Sequence, residues 1–134
     1  MSGINVAANP SLPIFRPTEE VDAMLFLDSI AKPGEVVLSS FETGNVLPAW
    51  TSTRVVIGHG PETVGLSELQ PRVDAFFNEE TADELRKSLL EEFGVTYVFW
   101  GPSERELGNW NLSKTPFLQE IYQEDNYSLF LFIP

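Results

Sequence analysis

Three short apolar runs, each closed by small or polar residues, constrain the fold more than anything else in this chain. Val36-Val37-Leu38 ends in Ser39-Ser40 and opens into Phe41-Glu42-Thr43-Gly44-Asn45-Val46-Leu47-Pro48-Ala49-Trp50. Arg54-Val55-Val56-Ile57 ends in Gly58-His59-Gly60, and Val95 to Trp100 ends in Gly101-Pro102. Read as strands, Glu35 to Ser39, Arg54 to Gly58 and Val95 to Trp100 are short and apolar enough to be buried on both faces, as in a parallel sheet. Helical patterns stand between them. Strands alternating with helices predict an α/β domain in which the first three strands are parallel and joined by right-handed crossovers.

The punctuation along the chain fits that reading. Residues 1–17, with Pro10 and Pro13, read as an extended lead-in, and 18–134 as a single α/β domain. Thr18 is placed to cap a helix with Glu19 and Glu20 in its first turn; Val21, Met24, Leu25, Asp28 and Ala31 fall at helical spacing, Leu27 and Ile30 widen the apolar face, and Pro33-Gly34 stops it. Gly44 to Ala49 reads as a short helix. Pro61 to Pro71 reads as loop or short helix and Arg72 to Phe77 as its helical continuation. Thr81 and Glu84 have the spacing of a capping box, with Leu85, Leu89 and Phe93 as a stripe and Gly94 at the C′ position. Leu118 to Glu124 and Tyr127 to Ile133, joined by Asp125-Asn126, read as an antiparallel hairpin on one sheet edge. The expected fold is therefore a Rossmann-like layered sandwich. Its mixed sheet has about five strands, mostly parallel, with a C-terminal antiparallel hairpin.

Charge and composition narrow the functions. The 134 residues carry a formal net charge of −12, which disfavours a nucleic-acid backbone or an anionic membrane surface as partner. The acids are scattered and read as a solvated surface. With no cysteine there is no disulfide, thiolate metal site or Cys nucleophile. Residues 1–15 lack a basic n-region and an apolar core, and no run reaches the roughly 18 apolar residues of a membrane span.

Chemistry in an open α/β sheet is expected at the carboxyl ends of its strands. Glu42-Thr43-Gly44-Asn45 falls at one such end, where backbone N–H groups could hold an anion. With one glycine it meets neither the dinucleotide fingerprint nor the P-loop pattern, and plain capping and turn chemistry is the alternative. His59, the single histidine, stands between Gly58 and Gly60, with Glu62 and Thr63 nearby to orient its ring. It reads as a general base or ligand donor, or as a structural histidine bonded to a loop carbonyl. No second histidine or tight acid cluster accompanies it, so neither a metal nor a cofactor is expected. Trp50, Trp100 and Trp110 read either as packing or as faces for sugars and apolar lipids. Asn111-Leu112-Ser113 and Asn126-Tyr127-Ser128 match the glycosylation sequon.

Taken together, Gly34 to Ser40, Glu42 to Ala49, Arg54 to His59, Glu62-Thr63 and Phe93 to Pro102 resemble one known region. It is the C-terminal soluble region of large bacterial multi-span membrane proteins of the dolichyl-phosphate-mannose protein mannosyltransferase type. The resemblance covers about residues 18–133, with one departure: Gly60 stands where an aromatic residue is expected. It implies many membrane spans before residue 1 and a domain on the extracytoplasmic face of the membrane. The catalytic acid of such transferases lies in the membrane part, so no catalytic residue is carried over. What the resemblance offers is a ligand or interface patch of Glu42, Thr43, Gly44, Asn45, Arg54, Gly58, His59, Glu62 and Thr63, with Trp50 at its rim. The implied role is an accessory domain that shapes access of the acceptor or lipid-linked sugar and is not catalytic alone. Its partners would be the membrane-embedded portion of the same polypeptide and a sugar or lipid-linked sugar. Two rivals belong to other classes: a free-standing small-molecule-binding α/β protein, and a structural protein-docking module.

Overall fold

The computed structural model describes residues 17–58 and 66–134. In chain order these form α1 (Thr18–Ile30), β1 (Val36–Leu38), α2 (Phe41–Trp50), β2 (Arg54–Val55), α3 (Leu66–Phe77), α4 (Asp83–Glu92), β3 (Val95–Trp100), a helical turn α5 (Pro102–Arg105), a 3-10 turn (Leu112–Lys114), β4 (Leu118–Glu124) and β5 (Tyr127–Phe132). The strands make one five-stranded sheet in the order β2-β1-β3-β5-β4. The β1–β2 and β1–β3 ladders are parallel, and the β3–β5 and β5–β4 ladders are antiparallel. The mixed sheet, its parallel first three strands and its hairpin at one edge are those read from the sequence.

Side-chain alternation divides the core into two layers, one on each face of the sheet. Val37, Tyr97, Phe99 and Leu129 face α1 and α2, where they meet Ala23, Met24, Leu27, Val46 and Leu47. Leu38, Val98, Trp100 and Phe130 face α3 and α4, where they meet Val73, Phe76, Phe77, Leu89 and Leu90. Between Val36 and Val37 the β1–β3 register slips, so that Val37 pairs with Tyr97 while Val36 pairs with Val95. That extra residue puts Val95 in the same layer as Val98 and Trp100 despite its odd spacing from them.

Several boundaries differ from the sequence reading, each for a local reason. Pro17, at φ −56° and ψ 146°, takes the N-cap of α1 without a side-chain hydrogen bond, so Thr18 is already helical. The buried face of α1 is Glu20, Ala23, Met24 and Leu27, and Leu25 is exposed. Helix α2 begins at Phe41, because the Ser40 hydroxyl accepts the Thr43 N–H at 3.3 Å and caps it; Pro48 lies inside it. Helix α3 runs from Leu66 through Pro71 to Phe77. β2 stops at Val55, and Gly94 takes φ +62° after α4, as a helix-ending glycine does.

The capping box at α4 does not form. Ala82 is the N-cap, and the Thr81 hydroxyl instead donates to the Ala75 carbonyl of α3 at 2.5 Å. Thr81 therefore ties two helices together and does not start one. Thr81→Val should cost about 0.5–1.5 kcal/mol, the worth of one hydrogen bond, whereas Glu84→Ala should stay within about 0.5 kcal/mol. Urea unfolding of both variants checks this; equal losses would restore the capping box.

Candidate functional site

Helix α2 starts at the carboxyl end of β1 and runs back toward the amino end of β2, and this splits the expected patch. Glu42, Thr43, Gly44 and Asn45 lie in its first half, near the carboxyl ends of the strands. Trp50 closes the helix about 12 Å further along at 1.5 Å per residue, and Arg54 opens β2 at the opposite end of the sheet. Glu42, Asn45 and Arg54 are exposed, whereas Thr43, Gly44 and Gly58 are buried. Trp50 is half-buried against the apolar layer containing Phe26 and Tyr122, and its indole N–H is buried with no partner among the described residues. His59, Glu62 and Thr63 lie outside the described residues.

The structure does bring two of the separated segments together, through their glycines. An ideal Cβ on Gly44 would overlap the Ile57 carbonyl oxygen and lie 3.2 Å from Gly58 Cα. One on Gly58 would lie 2.7 Å from the Gly44 carbonyl oxygen. That carbonyl is one a helix normally pairs with the N–H four residues on, and that residue is Pro48, which has none. The missing hydrogen leaves room for the chain after β2 to cross directly over α2.

The polar centre at these strand ends is Glu104, a residue the sequence reading did not single out. Its side chain is fully buried. One carboxyl oxygen accepts the Ser40 N–H at 2.9 Å, just past β1, and the other accepts the Gly101 N–H at 2.9 Å, just past β3. The Thr43 hydroxyl adds a hydrogen bond to the same carboxyl, and the Ser40 hydroxyl donates to Thr43 Oγ1 at 3.3 Å. Burial pushes its pKa up, and these hydrogen bonds oppose the rise. Gly101-Pro102-Ser103-Glu104 is itself the local signal: Pro at the first helical position and Glu at the third, reaching back to the N-cap amide. The turn is further held by Arg105, whose guanidinium donates to the Asn126 carbonyl at 2.5 Å and lies 5.3 Å from the Trp100 ring centroid.

On the other face, Trp100 and Trp110 serve packing. Trp100 stacks on Phe77 at 5.9 Å between centroids, and Trp110 donates its indole N–H to the Phe77 carbonyl at 2.9 Å. Arg86 is also buried, lying 3.6 Å above the Trp110 ring. It donates to the Phe76 carbonyl at 2.9 Å, to the Asn78 carbonyl and to Asp83 at 3.0 Å. Burial lowers the Arg86 pKa, and the Asp83 hydrogen bond opposes this. A cleft of about 210 Å³ between α3 and α4 is lined by Arg72, Phe76, Thr81, Leu85 and Arg86. Asn111 turns its side-chain carbonyl onto the Ser113 N–H and caps the 3-10 turn. Among the described residues no group of three metal-ligating side chains forms, and no helix is long and apolar enough to cross a membrane.

No protein-family model matches this chain, and no curated protein matches it in sequence. In structure it is similar to the C-terminal globular domain of an oligosaccharyltransferase from Archaeoglobus fulgidus. The TM-score is 0.56 at 14% identity, over 85% of this chain and 94% of that domain. The likeness is one of fold, and it spans nearly the whole of the archaeal domain.

Proposed function

We propose that this chain is an accessory extracytoplasmic domain of a membrane glycosyltransferase-like protein. On this reading it shapes access of the acceptor or lipid-linked sugar and carries no catalytic residue of its own. The observation that supports the reading is the likeness of fold, over 85% of this chain and 94% of the other, with a globular domain of an oligosaccharyltransferase. The partner is then the membrane-embedded portion of the same polypeptide, and the bacterial mannosyltransferase-type proteins are the relatives whose motifs it resembles. Residues 1–17 would link the two parts, with 18–134 as the folded domain.

The strand ends favour this over a free-standing binder. Where an open α/β sheet ordinarily takes a ligand, the chain has placed the Glu104 carboxyl, so the described part of that edge is filled from within. What remains for contact among the described residues of the patch is external: Glu42 and Asn45, exposed on α2. A carboxylate and a carboxamide on an exposed helix face suit sugar hydroxyls or polar groups of a partner surface.

An amide NMR titration with sugars, sugar phosphates and short prenyl phosphates tests the reading. Saturable shifts in the millimolar range, centred on Glu42 to Trp50 and on Gly58 to Thr63, are expected. Glu42→Ala with Asn45→Ala should weaken them about 10-fold, the loss of one or two hydrogen bonds, without lowering stability. No shift in these segments with any probe would sink substrate access and leave the docking module.

A further inference from the structure

The sheet order makes the boundary between β1 and β3 the place where the connections reverse. From β1 the chain passes through α2 to β2 on one side; it then returns past β1, through α3 and α4, to β3 on the other. In open α/β sheets this crevice, outside the carboxyl ends of the two strands, is where a ligand sits. Here one backbone amide from beyond each strand converges on the same point. Ser40 N and Gly101 N each stand 2.9 Å from a different oxygen of one carboxyl group, and the Thr43 hydroxyl joins them.

We infer that this crevice is a binding site for a small carboxylate, filled in the folded chain by the side chain of its own Glu104. The donors come from two segments 61 residues apart and would converge on one planar, two-oxygen anion whatever its source. Their arrangement, with one backbone N–H for each oxygen, matches a carboxylate better than a tetrahedral anion. The tether is the short α5 turn, held in place by Arg105 on the Asn126 carbonyl. The Tyr127 ring closes the outer side: an ideal Cβ on Gly101 would come within 2.9 Å of that ring and 3.4 Å of a Glu104 carboxyl oxygen. The inference does not depend on the accessory-domain reading.

Cutting the tether tests it. Glu104→Ala leaves two buried amides without an acceptor and should melt about 5–10 °C below the native chain. Sodium formate or acetate should raise its melting temperature saturably and shift the Ser40 and Gly101 amide resonances. Sodium chloride at equal ionic strength should do neither, and the native chain should not respond to formate. Formate acting no better than chloride, or acting equally on the native chain, would overturn the inference. Should Glu104→Ala fail to fold, Glu104→Gln keeps the packing but turns an amide donor toward one of the two N–H groups. Its Ser40 and Gly101 amide protons should then move upfield from their native positions; amides that stay in place would overturn the inference equally.

Discussion

Arg86→Ala should lower stability by about 3–4 kcal/mol, a loss of about 10 °C in melting temperature. The figure follows from what the guanidinium touches. It donates to the Phe76 and Asn78 carbonyls at the C-terminal end of α3, the negative end of the helix dipole. Removing it leaves the Phe76 carbonyl without a partner at about 1–1.5 kcal/mol, takes from the Asn78 carbonyl one of two donors at about 0.5–1 kcal/mol (the Thr81 N–H at 3.2 Å stays), and removes the stacking on Trp110 at 3.6 Å, worth about another 1–2 kcal/mol when desolvated. Asp83 adds little, because its side chain is about half exposed (52%) and can find water. Arg86→Lys should recover less than half of the loss, since one ammonium cannot span two carbonyls and lie flat on the indole. Trp110→Phe, which keeps a ring but loses the bond to the Phe77 carbonyl, should cost about 1 kcal/mol. Guanidinium denaturation reads all three. A lysine variant as stable as the native chain would mean that charge alone, not the fork, holds the junction.

The same residue shows why the helical faces were only partly legible in the sequence. Hydrophobic periodicity assigns the buried stripe of α4 to Leu85, Leu89 and Phe93. The helix instead buries Arg86, Leu89 and Leu90, and leaves Leu85 66% exposed. A charged residue whose stem and head are both used inside contributes the wrong sign to any apolar pattern, so the face read from it is turned by about one residue. The strands had no such competitor. Val95 to Trp100 is apolar but for Thr96 because each of its sides meets a helical layer, and that survives in the sequence as a nearly continuous run. The hairpin was legible for a second reason: Asp125 sits at φ 54°, a conformation that Asp tolerates better than most residues, so turn chemistry and turn geometry agree.

The polar cluster at the strand ends was legible in its flank, Ser40 and Thr43, and not in its central group. Strand ends followed by helix starts point to the edge where the polar residues gather. The group that organises that edge comes from 64 residues away, past three helices and two strands, and pairs with Ser40 through a backbone amide that leaves no trace in residue type. Its own end of the contact, Gly-Pro-Ser-Glu, did carry a signal as a helix start. Reading the acids collectively as a solvated surface hid both Glu104 and Glu20, which are buried.

Gly44→Ala should destabilise the chain by about 3 kcal/mol, although helix propensity alone predicts a gain of about 1 kcal/mol for alanine over glycine inside a helix. The two effects have opposite signs, so the experiment decides between them. Propensity loses because the added methyl would overlap the Ile57 carbonyl oxygen, which belongs to backbone and cannot rotate away as a side chain could. Relief requires α2 to move off the chain that follows β2. Gly58→Ala meets the same contact from the other side, 2.7 Å from the Gly44 carbonyl oxygen and 3.0 Å from its carbon, and should cost about 2 kcal/mol. Because one displacement of α2 relieves both overlaps, the double variant should fall short of the sum of the single losses by at least about 1 kcal/mol. That displacement would also carry Glu42 and Asn45 with it, so the single variants should alter the sugar-probe shifts at those two residues while leaving both side chains intact. Strict additivity would place the two strains in independent parts of the structure. An alanine at position 44 that stabilises the chain would mean that the two backbones do not approach as closely as the Gly44–Gly58 contact requires.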